Sequence, residues 1–116
     1  MDPEQVYRMP FARLYPLWAA KAERKGRTRA EADAVICWLT GYRQEELAAL
    51  ADSSVTCGEF FQKAPHPNPN RSKITGVVCG VRVEEIQEPL MREIRYLDKL
   101  IEELARGKSL EKILRK

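Results

Sequence analysis

Apolar residues recur along most of the chain at spacings of three and four, the period of one helix face. Phe11, Leu14, Trp18 and Ala22 form the first such stripe, widened by Tyr15 and Ala19. Pro10 suits the first turn of that helix. Gly26 ends it, with Arg24 and Lys25 in the last turn, where cations complement the dipole. Val6 to Met9 reads as a short extended lead-in. Thr28-Arg29-Ala30-Glu31 is a capping box, a hydroxyl followed three residues later by a glutamate. The helix it starts carries Ala32, Val35, Ile36 and Leu39 on one face and Ala34 and Trp38 on a second. Gly41 is its expected left-handed end. A third helix is predicted from about Arg43 to Ala51, with Leu47 and Leu50 inward. A short helix follows over Val55 to Ala64, capped by Thr56, with Phe60 and Phe61 in the core.

Pro65-His66-Pro67-Asn68-Pro69-Asn70 cannot continue a helix and reads as a linker. Ile74 to Cys79 is apolar and rich in β-branched residues, so strand and helix both fit locally. An internal similarity favours helix. Val35 to Leu47 aligns with Ile74 to Ile86, matching Gly41 with Gly80, Arg43 with Arg82, and Glu45-Glu46 with Glu84-Glu85. On this reading an apolar helix stops at a glycine, the next residue turns inward, and an acidic first turn opens another helix. Pro89 then begins the longest stripe, Leu90, Ile94, Leu97, Ile101 and Leu104, with Glu88–Arg92 and Glu102–Arg106 as pairs on its wet face. Gly107 closes this helix, and Ser109 is placed to cap a last one over Leu110 to Arg115. The expected fold is all-α. It is a compact bundle of six or seven helices with a repeated helix–Gly–helix corner, forming a single domain over residues 1–116.

Composition supports a folded globule. With 116 residues, 44% hydrophobic and 32% charged, the chain can bury a core without disulfide or metal staples. The net charge is +3, and its placement matters more than its size. Residues 1–29 carry seven basic and three acidic side chains, whereas the remainder is close to balanced. Lys21, Arg24, Lys25, Arg27 and Arg29 therefore form a basic cluster at the end of the first helix and could neutralise phosphates of a nucleic acid. No apolar run is long enough to span a bilayer, and Met1-Asp2-Pro3-Glu4 does not begin a secretory signal, so no membrane partner is expected. Three cysteines, an odd number, fit reduced thiols in the cytoplasm.

Candidate chemistry reduces to little. His66 is the single histidine, and no cysteine or second histidine is spaced to share a metal with it. Cys37 and Cys79 lie in apolar runs and read as buried, and Cys57, beside Gly58, reads as the least buried. Gly107-Lys108-Ser109 lacks the upstream glycine and the strand of a phosphate loop. The carboxylate pairs Glu45-Glu46, Glu84-Glu85 and Glu102-Glu103 are adjacent rather than facing. A groove-reading helix led by Glu45-Glu46 or Glu84-Glu85 would repel phosphates, which argues against helix-turn-helix recognition of DNA. No catalytic, cofactor-binding or metal-ligating residue is assigned, and no cofactor is expected.

Lys25-Gly26-Arg27-Thr28, Trp38-Leu39-Thr40-Gly41-Tyr42, Gln44-Glu45-Glu46-Leu47, Ile74-Thr75-Gly76-Val77-Val78-Cys79-Gly80 and Pro89 to Leu100 together resemble a family of short bacterial proteins, the domain-of-unknown-function family 2200. The resemblance runs from about Tyr7 to Arg115. It implies a bacterial source and a stand-alone domain, and it carries over no activity, cofactor or site residue. A protein-interaction or regulatory module is the first expectation. Nucleic-acid binding through the basic cluster is second, and an enzyme of unrecognised type is third.

Overall fold

The computed structural model describes residues 3–115. Their elements run α1 (Pro3–Arg8), α2 (Phe11–Glu23), α3 (Arg29–Thr40), α4 (Gln44–Ala51), α5 (Cys57–Gln62), a 3₁₀ turn (Pro69–Lys73), β1 (Val77–Val78), β2 (Val81–Arg82), a second 3₁₀ turn (Val83–Glu85), α6 (Pro89–Ala105) and α7 (Leu110–Ile113). The fold is all-α, with seven helices among the described residues and one two-stranded hairpin.

Local signals set most boundaries. The Thr28 hydroxyl accepts from the Glu31 backbone N–H at 3.1 Å, and the Glu31 carboxylate accepts from the Thr28 N–H at 3.0 Å, so the capping box is complete. Thr56 and Glu59 make the same reciprocal pair at the start of α5. Two helices stop in the same way. At the end of α2, Gly26 N–H donates to Glu23 O and Arg27 N–H to Ala22 O. At the end of α6, Gly107 N–H donates to Leu104 O and Lys108 N–H to Glu103 O. Both are Schellman motifs, and both glycines have positive φ, 82° and 93°.

One contiguous core joins the elements. Phe11 stacks on Phe60 with ring centroids 3.8 Å apart, tying α2 to α5. The same junction is closed by backbone bonds from Phe11 N–H to Val55 O and from Cys57 N–H to Met9 O. Leu97, Leu100, Ile101 and Leu104 of α6 are fully buried among α2, α3 and α5. The proline-rich linker is docked rather than loose: His66 N–H donates to Thr40 O and Asn68 N–H to Leu39 O, which caps the carbonyl end of α3.

Four expectations need correction. Val6, Tyr7 and Arg8 belong to helix α1 and not to an extended lead-in. Pro3 begins that helix, Glu4 suits its positive end, and the Tyr7 hydroxyl anchors it to the Glu88 carboxylate. That bond replaces the expected Glu88–Arg92 pair: the Arg92 guanidinium donates to Ile86 O instead. The segment Ile74–Cys79 is not helical. Val77 and Val78 pair with Arg82 and Val81 across a two-residue turn, and both turn residues, Cys79 and Gly80, have positive φ, as a type I′ turn requires. The repeated helix–Gly–helix corner is therefore absent. Gly41 ends α3 with φ 82°, and Gly80 shares that φ at 80° but serves a hairpin.

The two glycines differ in what a side chain would meet. A Cβ on Gly80 meets nothing within 4 Å, whereas one on Gly41 would lie 2.6–2.7 Å from the Cβ, N and O atoms of His66. Gly80→Ala should lower stability by about 1 kcal/mol, the cost of a left-handed alanine. Gly41→Ala should cost roughly 2–4 kcal/mol, because the linker must also give up its bonds to α3. Urea denaturation of both variants measures the difference, and equal costs would contradict it.

Candidate functional site

A mostly apolar furrow of about 370 Å³ opens between α1, α2 and α6. Val6 and Met9 contribute from α1 and its end, Leu14, Leu17 and Trp18 from α2, and Ile94, Arg95 and Asp98 from α6. Six of these eight residues are apolar. Leu17 stands at the furrow 60% exposed, the most exposed large apolar side chain among the described residues. Helical spacing explains why it is there. Phe11, Tyr15, Trp18 and Ala22 take the core face of α2, and Leu17 falls outside that stripe.

The polar groups of the furrow are already satisfied by one another. Trp18 Nε1 donates to Asp98 Oδ1 at 2.8 Å, and Arg95 Nη1 donates to Asp98 Oδ2 at 2.8 Å. Asp98 thus has a partner on each oxygen, and its charge is matched by Arg95. A larger hollow of about 540 Å³ lies at the hairpin, lined by Val77, Gly80, Val81, Arg82, Glu85 and Ile86. Only three of those six residues are apolar, so it offers less to exclude water.

The five cations of the predicted basic cluster differ in their surroundings. Arg27 is a structural residue: its Nε and Nη2 donate to Glu31 Oε2 at 3.1 and 2.6 Å, and its Nη1 donates to Leu104 O and Lys108 O at 3.0 and 2.7 Å. It follows the Schellman turn of α2 and caps the Schellman turn of α6, joining the two helix ends. The Arg27 guanidinium, followed by the Thr28 backbone N–H, holds the Glu31 carboxyl down to about 2. Arg29 lies over the Tyr15 ring at 5.4 Å and reaches Glu23 at 3.6 Å. Lys21, Arg24 and Lys25 remain, on or just beyond the outer side of α2.

A second polar cluster lies between α2, α3 and α4, with Tyr15 and Asp33 buried and Gln44 at the surface. Tyr15 OH donates to Asp33 Oδ1 at 2.6 Å, and Gln44 Nε2 donates to Asp33 Oδ2 at 2.9 Å. Burial, reinforced by Asp33, pushes the Tyr15 hydroxyl up to about 12. Nothing in the sequence flagged this trio, because its members are 11 and 18 residues apart and follow no motif. Among the described residues, no three His, Cys, Asp or Glu side chains are grouped to hold a metal ion.

The cysteines fall in the reverse of the expected order. Cys57 is fully buried at the start of α5, where desolvation raises its thiol to about 12. Cys37 is half-buried, and Cys79 is exposed in the hairpin turn. Cys57 sits beside Gly58, which the sequence suggested was open, but Gly58 is itself buried against the Tyr7 backbone.

Residues 5–115 match a family described as an uncharacterized protein conserved in bacteria (DUF2200). The chain belongs to this family. The crystal structure of an uncharacterized protein, SP1917, is similar to it at 47% identity and a TM-score of 0.94, covering 98% of this chain and 93% of that one. A comparison with curated proteins found no match. No helix among the described residues is long and apolar enough to cross a membrane.

Two outcomes follow from this geometry. Arg27→Ala should lower stability by about 2 kcal/mol, from the carbonyls left unpaired at the end of α6. Arg24→Ala should change it by less than about 0.5 kcal/mol, and paired thermal and urea unfolding tests the contrast. Alkylation of the native protein followed by peptide mass mapping should modify Cys79 first, Cys37 more slowly and Cys57 only on unfolding. Early labelling of Cys57 would show that the start of α5 opens in the native state.

Proposed function

We infer that this protein is a non-catalytic interaction module that receives an apolar side chain of a partner protein in the α1–α2–α6 furrow. The observation that carries this reading is Leu17, left 60% exposed at a concave and mostly apolar site. An exposed large apolar residue beside a mostly apolar recess is where interface binding energy concentrates. An enzyme needs polar groups with free valences aimed at a reacting atom. In this furrow Asp98, Arg95 and Trp18 satisfy one another. The cytoplasm is the proposed compartment, which the free thiols of Cys37, Cys57 and Cys79 support.

Nucleic-acid binding is the second reading, resting on Lys21, Arg24, Lys25, Arg27 and Arg29. It is weaker because Arg27 and Arg29 are committed to Glu31 and Glu23, which leaves three cations for phosphates. The test uses the full chain as bait for bacterial extract, in wild-type form and as Leu17→Glu, whose site is exposed enough to leave the fold intact. Proteins retained by wild type and lost at least tenfold by the variant support the interaction module. Retention that ignores Leu17, together with low-salt DNA binding abolished by Lys21→Glu/Arg24→Glu, would replace it with the nucleic-acid reading.

A further inference from the structure

We propose that the furrow's partner is an acidic protein segment, one that sets a large apolar side chain beside Leu17 and flanks it with Asp or Glu. This rests on the interaction-module reading and adds the chemistry of the partner. At about 100° per residue, Arg13, Leu17, Lys21 and Arg24 fall within one stripe of α2 about 80° wide. Leu17 is therefore bracketed along the helix by three cations. Among the described residues the side chains of Arg13, Lys21 and Arg24 have no ion-pair or hydrogen-bond partner.

The nearby acids do not offset them. Asp98 is matched by Arg95, Glu102 by Lys99 and Arg106, Glu23 by Arg29 and Glu4 by Arg8. Among the described residues Glu88, at the α1 side, keeps only the Tyr7 hydroxyl, whereas on the α2 wall that presents the exposed leucine the charge left over is positive. A basic or neutral segment would leave those three cations unanswered or repelled, whereas carboxylates on either side of an apolar anchor would pair with them as the anchor enters. Duplex DNA answers the charge but offers no side chain to fill a recess with six apolar lining residues. An acidic peptide meets both demands.

The test is a selection of random displayed peptides of about a dozen residues, long enough to follow three turns of α2. The bait is the full chain, run beside Leu17→Glu and Lys21→Glu/Arg24→Glu. Enriched sequences should share an apolar anchor among Asp and Glu. A synthetic consensus peptide should lose about tenfold in affinity on either variant. Its binding to wild type should weaken as salt rises, and binding to the charge-reversed form should lose that dependence. A basic or neutral consensus that still needs Leu17 would overturn the acidic partner and leave the furrow reading intact. No enrichment over Leu17→Glu would overturn both. Mixed-sequence duplex DNA that displaces the peptide at equal concentration would assign the cations to nucleic acid and overturn the proposal.

Discussion

Helix α6 buries Ile94, Tyr96, Leu97, Leu100, Ile101 and Leu104 on one side of 17 residues. Helix stability in a protein comes mostly from packing of the amphipathic face, so the persistence of α6 depends on what covers this stripe. Burying each such side chain contributes about 1.5–3 kcal/mol, and the gain exists only when α2, α3 and α5 close over the stripe together. The hairpin and α7 then seat on what remains of α6: Lys99 donates to Val77 O, and Arg115 makes a two-pronged contact with the buried Glu103. The furrow is a consequence of the same arrangement. Trp18 must reach α6 to place its indole N–H on Asp98, and Leu17, one residue before it, is then directed away from the core.

The charged residues divide into two populations. Arg27, Arg71, Lys99 and Arg115 are partly buried and hold elements together through carboxylates and carbonyls, while Arg95 pairs with Asp98 within α6. Arg27 is the clearest case, since one guanidinium joins the carbonyl ends of two helices that finish in the same glycine motif. Removing such a group exposes the groups it satisfied, so its cost is structural. Arg13, Lys21 and Arg24 hold nothing in place among the described residues. Surface cations with no structural duty, clustered around an exposed leucine, are free to be used in recognition.

Much of the fold was legible because it is locally encoded. The capping boxes at Thr28 and Thr56, the glycine ends at 26, 41 and 107, and the α6 stripe all depend on residues within a few positions of one another. The hairpin was misread for a physical reason. Gly41 and Gly80 have nearly the same φ, so the alignment matched a backbone requirement and not an element type. The β-branched run Val77-Val78 and the turn pair Cys79-Gly80 held the information, and the imposed repeat overrode it. The repeat the chain does contain is the Schellman pair at Gly26 and Gly107, each flanked by basic residues and followed by a hydroxyl residue, Thr28 or Ser109, at the N-cap of the next helix. The furrow and the Asp33 trio were not legible, because sequence spacing does not say which of two helix faces a distant element will leave uncovered.

That difference bears on what kind of function the fold supports. Among the described residues no buried side-chain nitrogen or oxygen lacks a hydrogen-bond partner. Asp33 and Asp98 each have both oxygens engaged, and the raised Tyr15 and Cys57 groups are protonated throughout the physiological range. A site poised for acid–base or nucleophilic chemistry holds a group near its titration point with an open side toward a substrate. Here the internal polar groups are closed, and the unanswered features, one leucine, a furrow and three cations, lie on the surface of α2. Such features gain free energy only when another surface covers them, which is the physical basis of the proposed binding-module reading.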